Sequence, residues 1–271
     1  MMLARVLMDN LAGDGFIGEW GLSIWIDHEG RNLLLDTGSS GRFVENAKRM
    51  GVALETVQLG VLSHAHYDHA NGMDAFFDVN DHARFYLRSG AAERCYGKKG
   101  WRYHYNGIRS GLLKQYADRI TYVEGNYALF PGAWLIPHTT PELGRIAARS
   151  GLYVRRGLRM LPDDFSHEQS LVLETERGLV VFSSCSHAGP DNIIAEVRAA
   201  LPGRRINALI GGLHLYKLTD DEVRALAGRI WETGVERIYT GHCTGERGYA
   251  VLREVLGEGV QQLYTGMEIE V

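Results

Sequence analysis

Four side chains able to hold a metal ion stand close together in Ser63-His64-Ala65-His66-Tyr67-Asp68-His69. The stretch follows a mostly apolar run, Val57 to Leu62, that reads as a buried strand, and Asn71-Gly72 reads as the start of a helix. The four ligands therefore fall where a strand stops and the backbone turns. On an extended segment residues i and i+2 point the same way, so His64 and His66 can converge on one ion. Asp68 and His69, past the turn, can face a second ion. Imidazole with carboxylate suits zinc, iron or manganese. A histidine-rich surface turn would need no such spacing behind a buried strand.

A chain of 271 residues can bury a large core and fits one sizeable domain or two small ones. Its net charge of -4 gives no global reason to expect nucleic acid or an anionic membrane as partner. Cys95, Cys185 and Cys243 lie far apart with no CxxC pair, which argues against a disulfide framework and for a reducing compartment. Met1 to Asn10 shows no apolar core behind a basic region, so no signal peptide is expected. No run approaches the roughly 18–20 apolar residues of a membrane helix. The protein is expected in the cytoplasm.

The two halves of the chain echo one another. Leu3 to Met8 reads as a strand, followed by a glycine-rich loop. Leu22 to Asp27 and Asn32 to Leu35 form a hairpin, then Asp36-Thr37-Gly38 leads into a helix over Arg42 to Met50. Asp36 could accept backbone hydrogen bonds as a plain turn and cap, or support the metal ligands. In the second half Ser170 to Glu174 and Leu179 to Phe182 form another hairpin. A small-residue loop from Ser183 to Gly189, a helix from Pro190 to Ala200 and a strand from Asn207 to Ile210 follow. Superposed in order, the Ser183 loop matches the Asp36 loop, and His214 falls near His64. Two such copies suggest two similar layers about a pseudo-twofold, each sheet covered by helices outside and its twin inside: an α/β protein built as an αββα sandwich. Sites would gather along the edge where both sets of strand ends open.

Of the 11 histidines, His187 and His242 also follow strands and join the candidate ligands. His214, in Gly211-Gly212-Leu213-His214, reads either as a donor beside the metal or as a packed core residue. His28, His82, His104 and His138 have no placing context and read as surface or loop residues.

With Asp36-Thr37-Gly38, His64-Ala65-His66-Tyr67-Asp68-His69 and the late Gly241-His242, the chain resembles the metallo-β-lactamase-fold superfamily. Cys185-Ser186-His187-Ala188-Gly189, Gly211-Gly212-Leu213-His214-Leu215 and Gly241-His242-Cys243-Thr244-Gly245 are similar to its branch of dihydropterin–ribofuranosylaminobenzene-phosphate synthase-like proteins. The resemblance spans both halves and leaves out roughly residues 80–165. It implies a single αββα domain over residues 1–271, with 80–165 as a substrate-shaping insert. It also implies a one- or two-metal site at the edge, with zinc as first choice and iron or manganese as alternatives. Carried over, His64 and His66 hold the first ion, while Asp68, His69 and His242 hold the second. The third ligand of the first ion is open: His187 is preferred from its strand-end position, with His167 and Glu168 as alternatives. Many relatives place a bridging aspartate where this chain reads Phe182-Ser183-Ser184-Cys185. Cys185 is then either a bridging thiolate or a buried inert cysteine.

Residues 84–119 hold nine Lys/Arg against two acids, and residues 145–159 add five Arg and no acid, with aromatics interleaved. Arginine forks bind phosphate and aromatic faces stack on flat heterocycles. Arg102 and Arg109 are therefore candidate contacts for a small anionic, phosphorylated and pterin-like substrate; the alternative is a solvated basic face over the insert's own core. The insert could serve as a lid or as the arm of a homodimer. The chemistry expected is that of a hydrolase using a metal-bound hydroxide. Asp68 would orient the nucleophile and take its proton, and His214 would help stabilise developing charge. The rival classes are a non-hydrolytic pterin-related synthase, an iron-dependent oxidoreductase and a non-catalytic metal-containing binding protein. A nuclease is disfavoured, since no dedicated nucleic-acid module is present.

Overall fold

The computed structural model describes residues 2–271. The first half runs through β1 (Met2–Met8), β2 (Ser23–His28), β3 (Arg31–Leu35), α1 (Arg42–Arg49), β4 (Leu59–Val61), α2 (Tyr67–Ala70), α3 (Met73–Val79) and β5 (Arg84–Arg88). The middle contributes β6 (Cys95–Lys99), β7 (Arg102–Tyr105), α4 (Leu112–Gln115), β8 (Ile120–Val123), β9 (Tyr127–Phe130), β10 (Ala133–Pro137), α5 (Leu143–Ser150), β11 (Leu152–Arg156) and β12 (Arg159–Pro162). The second half adds β13 (Gln169–Thr175), β14 (Gly178–Phe182), α6 (Pro190–Ala200), β15 (Ile206–Gly211), α7 (Asp220–Glu232), β16 (Arg237–Thr240), α8 (Gly245–Leu256), β17 (Val260–Gln262) and β18 (Glu268–Glu270).

Two seven-stranded sheets form, in the orders β18-β1-β2-β3-β4-β5-β8 and β17-β16-β15-β14-β13-β10-β9. The echo between the halves is a matter of topology. The antiparallel hairpin β2–β3 continues through α1 into β4, parallel to β3. The antiparallel hairpin β13–β14 continues through α6 into β15, parallel to β14.

Alternation along the strands explains the layering, because successive side chains face opposite sides of a sheet. Ile24, Ile26, Leu33 and Leu35 meet Leu171, Leu173, Val180 and Phe182 in one apolar cluster between the sheets. The intervening Trp25 and Leu34 pack outward with Phe43, Ala47 and Phe76. Val172, Leu179 and Val181 pack outward with Ile193, Val197, Leu226 and Leu252. Both sheets are thus buried on both faces, which is why their strands read as nearly continuous apolar runs. The result is the αββα sandwich expected from the sequence.

The segment 80–165 is not a free-standing insert. It supplies β5 and β8 to the first sheet and β9 and β10 to the second. Only the hairpins β6–β7 and β11–β12 stand apart, pairing through β6 and β11 into a four-stranded sheet. That sheet explains the basic and aromatic interleaving: Lys98 lies 5.4 Å from the Tyr103 ring and 5.5 Å from that of Tyr153. Arg102 stacks 4.5 Å from Trp101, and Arg155 lies 5.7 Å from Tyr96. Cations stacked over rings account for these pairs without a ligand.

Two histidines read as surface or loop residues are buried. His28 closes β2, and His138 is held by Glu196 of α6 at 2.8 Å. Among the described residues no helix is long and apolar enough to cross a membrane.

Candidate metal centre

Parallel strands put their carboxyl ends on the same edge, and the candidate ligands follow those ends. Asp36 follows β3, and His64, His66, Asp68 and His69 follow β4. Cys185 and His187 follow β14, His214 follows β15, and His242 follows β16. Asp36, Ser186, His214 and His242 all adopt positive φ, between 47° and 58°. Such conformations cost free energy in non-glycine residues and persist where the surroundings impose them, often at functional sites. Two glycines let the loops close on each other. A Cβ on Gly211 would lie 2.0 Å from the Ser183 carbonyl oxygen, and one on Gly212 would lie 2.5 Å from Cys243 Sγ.

One carboxylate orients both halves of the site. Asp36 is fully buried and accepts hydrogen bonds from Ser63 N–H and Ser63 Oγ–H, each at 2.7 Å, and from His69 Nδ1–H at 2.8 Å. The Ser63 hydroxyl has spent its only hydrogen on Asp36, so its 2.8 Å contact with His64 Nδ1 is received from the ring. Asp36 is therefore a support, not a ligand. It fixes both imidazoles with Nδ1 protonated and Nε2 turned inward, the usual device for presenting histidine to a metal.

The first set of donors is His64, His66 and His187. Their ring centroids lie 4.6, 5.0 and 5.2 Å apart. The Nε2 atoms of all three are buried without a hydrogen-bond partner. Glu168 does not compete for the ion through Oε1, which accepts from both His187 N–H at 3.2 Å and His187 Nδ1 at 3.1 Å. Burial pushes the Glu168 carboxyl up, but the adjoining His187 ring and its hydrogen bonds outweigh it and hold the pKa at about 2. His167 lies beside His66, in a group with Cys95 and Asp163, but both of its ring nitrogens are engaged. Its Nδ1 accepts from Ala65 N–H at 3.1 Å, and its Nε2 meets Asp163 at 3.0 Å. Of the three candidates for the remaining ligand, His187 and Glu168 each keep a buried atom without a partner, Nε2 and Oε2, and His187 is the one grouped with His64 and Cys185.

The second set is Asp68, His69 and His242. His242 Nδ1–H is engaged by Asn10 Oδ1 at 3.1 Å, just as His69 Nδ1–H is engaged by Asp36. The two Nε2 atoms nevertheless face each other at 3.2 Å, with Asp68 Oδ2 at 3.9 Å from one and 3.5 Å from the other. Two bare lone pairs at that distance repel unless a proton or a cation lies between them. Trp20 Nε1–H donates to Asp68 Oδ2 at 2.7 Å and fixes the carboxylate.

Burial, with the neighbouring imidazoles, holds His64, His66 and His242 well below the ordinary histidine value of 6.5. They are neutral, as ligands must be. His69 is the exception: burial lowers it, but Asp68 and Asp36 outweigh burial and raise it. His214 is likewise held well below 6.5 by burial, and neither of its ring nitrogens has a partner. The donor set and its unpaired nitrogens fit one or two transition-metal ions.

A cavity of about 330 Å³ opens over these groups. Trp20, Tyr67, Asp68, Tyr105, His214 and Tyr216 are among the residues around it. His104, read from sequence as a surface residue, lines it too. The four-stranded sheet reaches the site directly, through an isolated bridge between Gly107 and His66 and a bond from Tyr67 N–H to the Asn106 carbonyl at 3.0 Å. Arg102 and Arg109 are not part of the lining. Arg102 stacks on Trp101, which is 79% exposed, and Arg109 pairs with Asp74. Trp20, Asn10 and Ser63 were not anticipated. Trp20 and Asn10 sit in the irregular loop after β1, where no periodicity points to a site.

An αββα sandwich whose strand ends converge on histidine and carboxylate donors defines a class of metal-binding, hydrolase-type folds. Residues 21–188 match the family model of the metallo-beta-lactamase superfamily, and the chain belongs to that superfamily. Over 94% of its length it is 26% identical to the 7,8-dihydropterin-6-methyl-4-(beta-D-ribofuranosyl)-aminobenzene-5'-phosphate synthase of Methanocaldococcus jannaschii, covering 91% of that protein. The solved structure of Tm1679, described as a metal-dependent hydrolase of the beta-lactamase superfamily, superposes with a TM-score of 0.84 at 30% identity. The match covers 100% of this chain and 99% of that one. A diphosphatase of the PhnP family shares the fold, with a TM-score of 0.55 and 16% identity.

Proposed function

We propose that the protein is a metal-dependent hydrolase acting on a small phosphorylated, flat-ringed substrate such as a phosphoester. The observation that carries this is the pair of His69 and His242 nitrogens at 3.2 Å beside Asp68, next to the His64, His66 and His187 set. Zinc is the ion we favour for nitrogen, oxygen and sulfur donors together, with iron or manganese as alternatives. Once bound, such an ion supplies Lewis acidity and brings the pKa of water toward about 7.

The chain's own groups do the rest. Asp68, steadied by Trp20, holds one carboxylate oxygen where it can orient the attacking water and receive its proton. Neutral His214, with both ring nitrogens unpaired, can donate to the oxygen on which charge develops. Tyr67, Tyr105 and Tyr216 offer faces to a planar ring. No Lys or Arg is among the described residues lining the cavity, so a phosphate entering it must be neutralised at the metal positions. Arg102 and Arg109 remain proposed outer contacts that steer an anion toward the opening. We place the protein in the cytoplasm, consistent with three free buried cysteines, and leave the exposed β6–β7 arm as a surface for a second copy.

Purified protein should carry metal by elemental analysis and turn over bis-p-nitrophenyl phosphate or a phosphomonoester panel. Metal-loaded protein inert on all of them would defeat the hydrolase proposal. A second reading, bond formation on a pterin precursor, is favoured by the 26% identity to the M. jannaschii synthase. Conversion of a dihydropterin with an aminobenzene-ribose phosphate, without ester hydrolysis, would decide for it.

A further inference from the structure

We propose that Cys185 is a ligand shared by the two metal positions, its Sγ bridging the His64/His66/His187 side and the Asp68/His69/His242 side. This rests on the metal-centre proposal above.

The placement is what argues for it. Cys185 Sγ lies within 4.8 Å of a ring nitrogen of both His64 and His187, and in a second grouping within 4.8 Å of those of His69 and His242. It is 3.4 Å from His69 Nε2. No other side chain is common to those two groupings. The His64 and His187 Nε2 atoms beside it are buried and have no partner of their own.

The loop that presents the sulfur is fixed on every side. Ser183 N–H donates to the Ile210 carbonyl at 2.9 Å, Gly212 N–H to the Ser184 carbonyl at 2.9 Å, and the Ser186 hydroxyl to Ser183 Oγ at 3.0 Å. Cys95 is engaged elsewhere, whereas Cys243 lies beside Cys185, in a group with His214 whose donor atoms are all within 4.8 Å of one another. Cys95 Sγ lies 3.6 Å from His167 Nε2, and Cys243 Sγ receives the His214 N–H at 3.2 Å while facing the Cys185 carbonyl at 3.7 Å.

Ligation displaces the thiol proton to solvent, as for any cysteine that takes up a metal. A thiolate at the shared position also biases the choice of ion toward zinc, iron or cobalt and away from manganese or magnesium.

Cobalt(II) titration of the full chain, followed by absorption, tests the assignment. Wild-type protein should take up two ions and show a near-ultraviolet sulfur-to-cobalt charge-transfer band. Cys185→Ser should lose the band and the more weakly held ion. Cys185→Asp, which returns a carboxylate to the position and guards against a folding defect, should keep both ions without the band. Cys243→Ser should keep the band. Cobalt bound by wild-type protein without a charge-transfer band, or a band that survives Cys185→Ser, overturns the bridging role and leaves the metal centre standing. Failure to bind cobalt at all overturns the metal centre, and the bridge with it.

Discussion

At the scale of single residues, the arrangement of the candidate donors depends on groups that are not themselves among them. Asp36 is the clearest case, since it sets the orientation of His69 directly and of His64 through Ser63. Asp36→Asn keeps the size but can no longer accept all three bonds. It should weaken metal binding by about 10- to 100-fold with little change in overall fold, measurable by competition with a chromogenic chelator. Unchanged affinity would mean the relay is only a turn cap. The juxtaposition of His64 and His66 was legible because extended backbone imposes a two-residue period. Asp36 was ambiguous because a buried cap and a metal support look alike until the loops are placed. Whether His187 or Glu168 completes the first set was open for a related reason: they meet across a gap of 19 positions, one orienting the other. Gly211→Ala should be strongly destabilising, because the new methyl group would overlap the Ser183 carbonyl oxygen in a backbone already at positive φ; a denaturant midpoint close to wild type would contradict that packing.

At the scale of elements, two connections show how the sandwich is held. Helix α7 begins with a capping box in which the Thr219 side chain accepts from Glu222 N–H and the Glu222 side chain accepts from Thr219 N–H. Thr219→Ala should cost about 1 kcal/mol in a denaturant melt. Glu196 of α6 joins the loop after β10 through His138, Thr139 N–H and the Thr140 hydroxyl. Burial pushes its carboxyl up, but the His138 hydrogen bond and charge, with the Thr bonds, pull it below its ordinary value of 4.5. A carboxyl lowered in the folded state contributes stability above the unfolded value, and that contribution is lost as pH falls through the folded value. Glu196→Gln should therefore lose stability relative to wild type at neutral pH, and the gap should narrow below about pH 4. A gap independent of pH would show that the charge of Glu196 is irrelevant. The main hairpins and helices were readable from apolar periodicity. The segment 80–165 was not, because its short strands belong to three different sheets, and pairing partners as far apart as Cys95 and Val154 leave no local signal.

At the scale of the whole molecule, the site exists only because two half-chains deliver their strand ends to one edge. Its donors come from loops after β4, β14 and β16, on both sheets, so an ion there would tie the layers together. Metal removal with a strong chelator should lower the thermal midpoint by several degrees, and reloading should restore it. The αββα architecture was legible from the repeated hairpin–helix–strand order. The third sheet was not, nor was its delivery of His104 and Tyr105 to the cavity. The measurement that bears most directly on the account is anomalous diffraction from metal-loaded crystals at the absorption edge of the bound ion. The expected map has density among His64, His66 and His187 and a second peak among Asp68, His69 and His242, with Cys185 between them. A map with no peak at either position, from protein shown to contain metal, would contradict it.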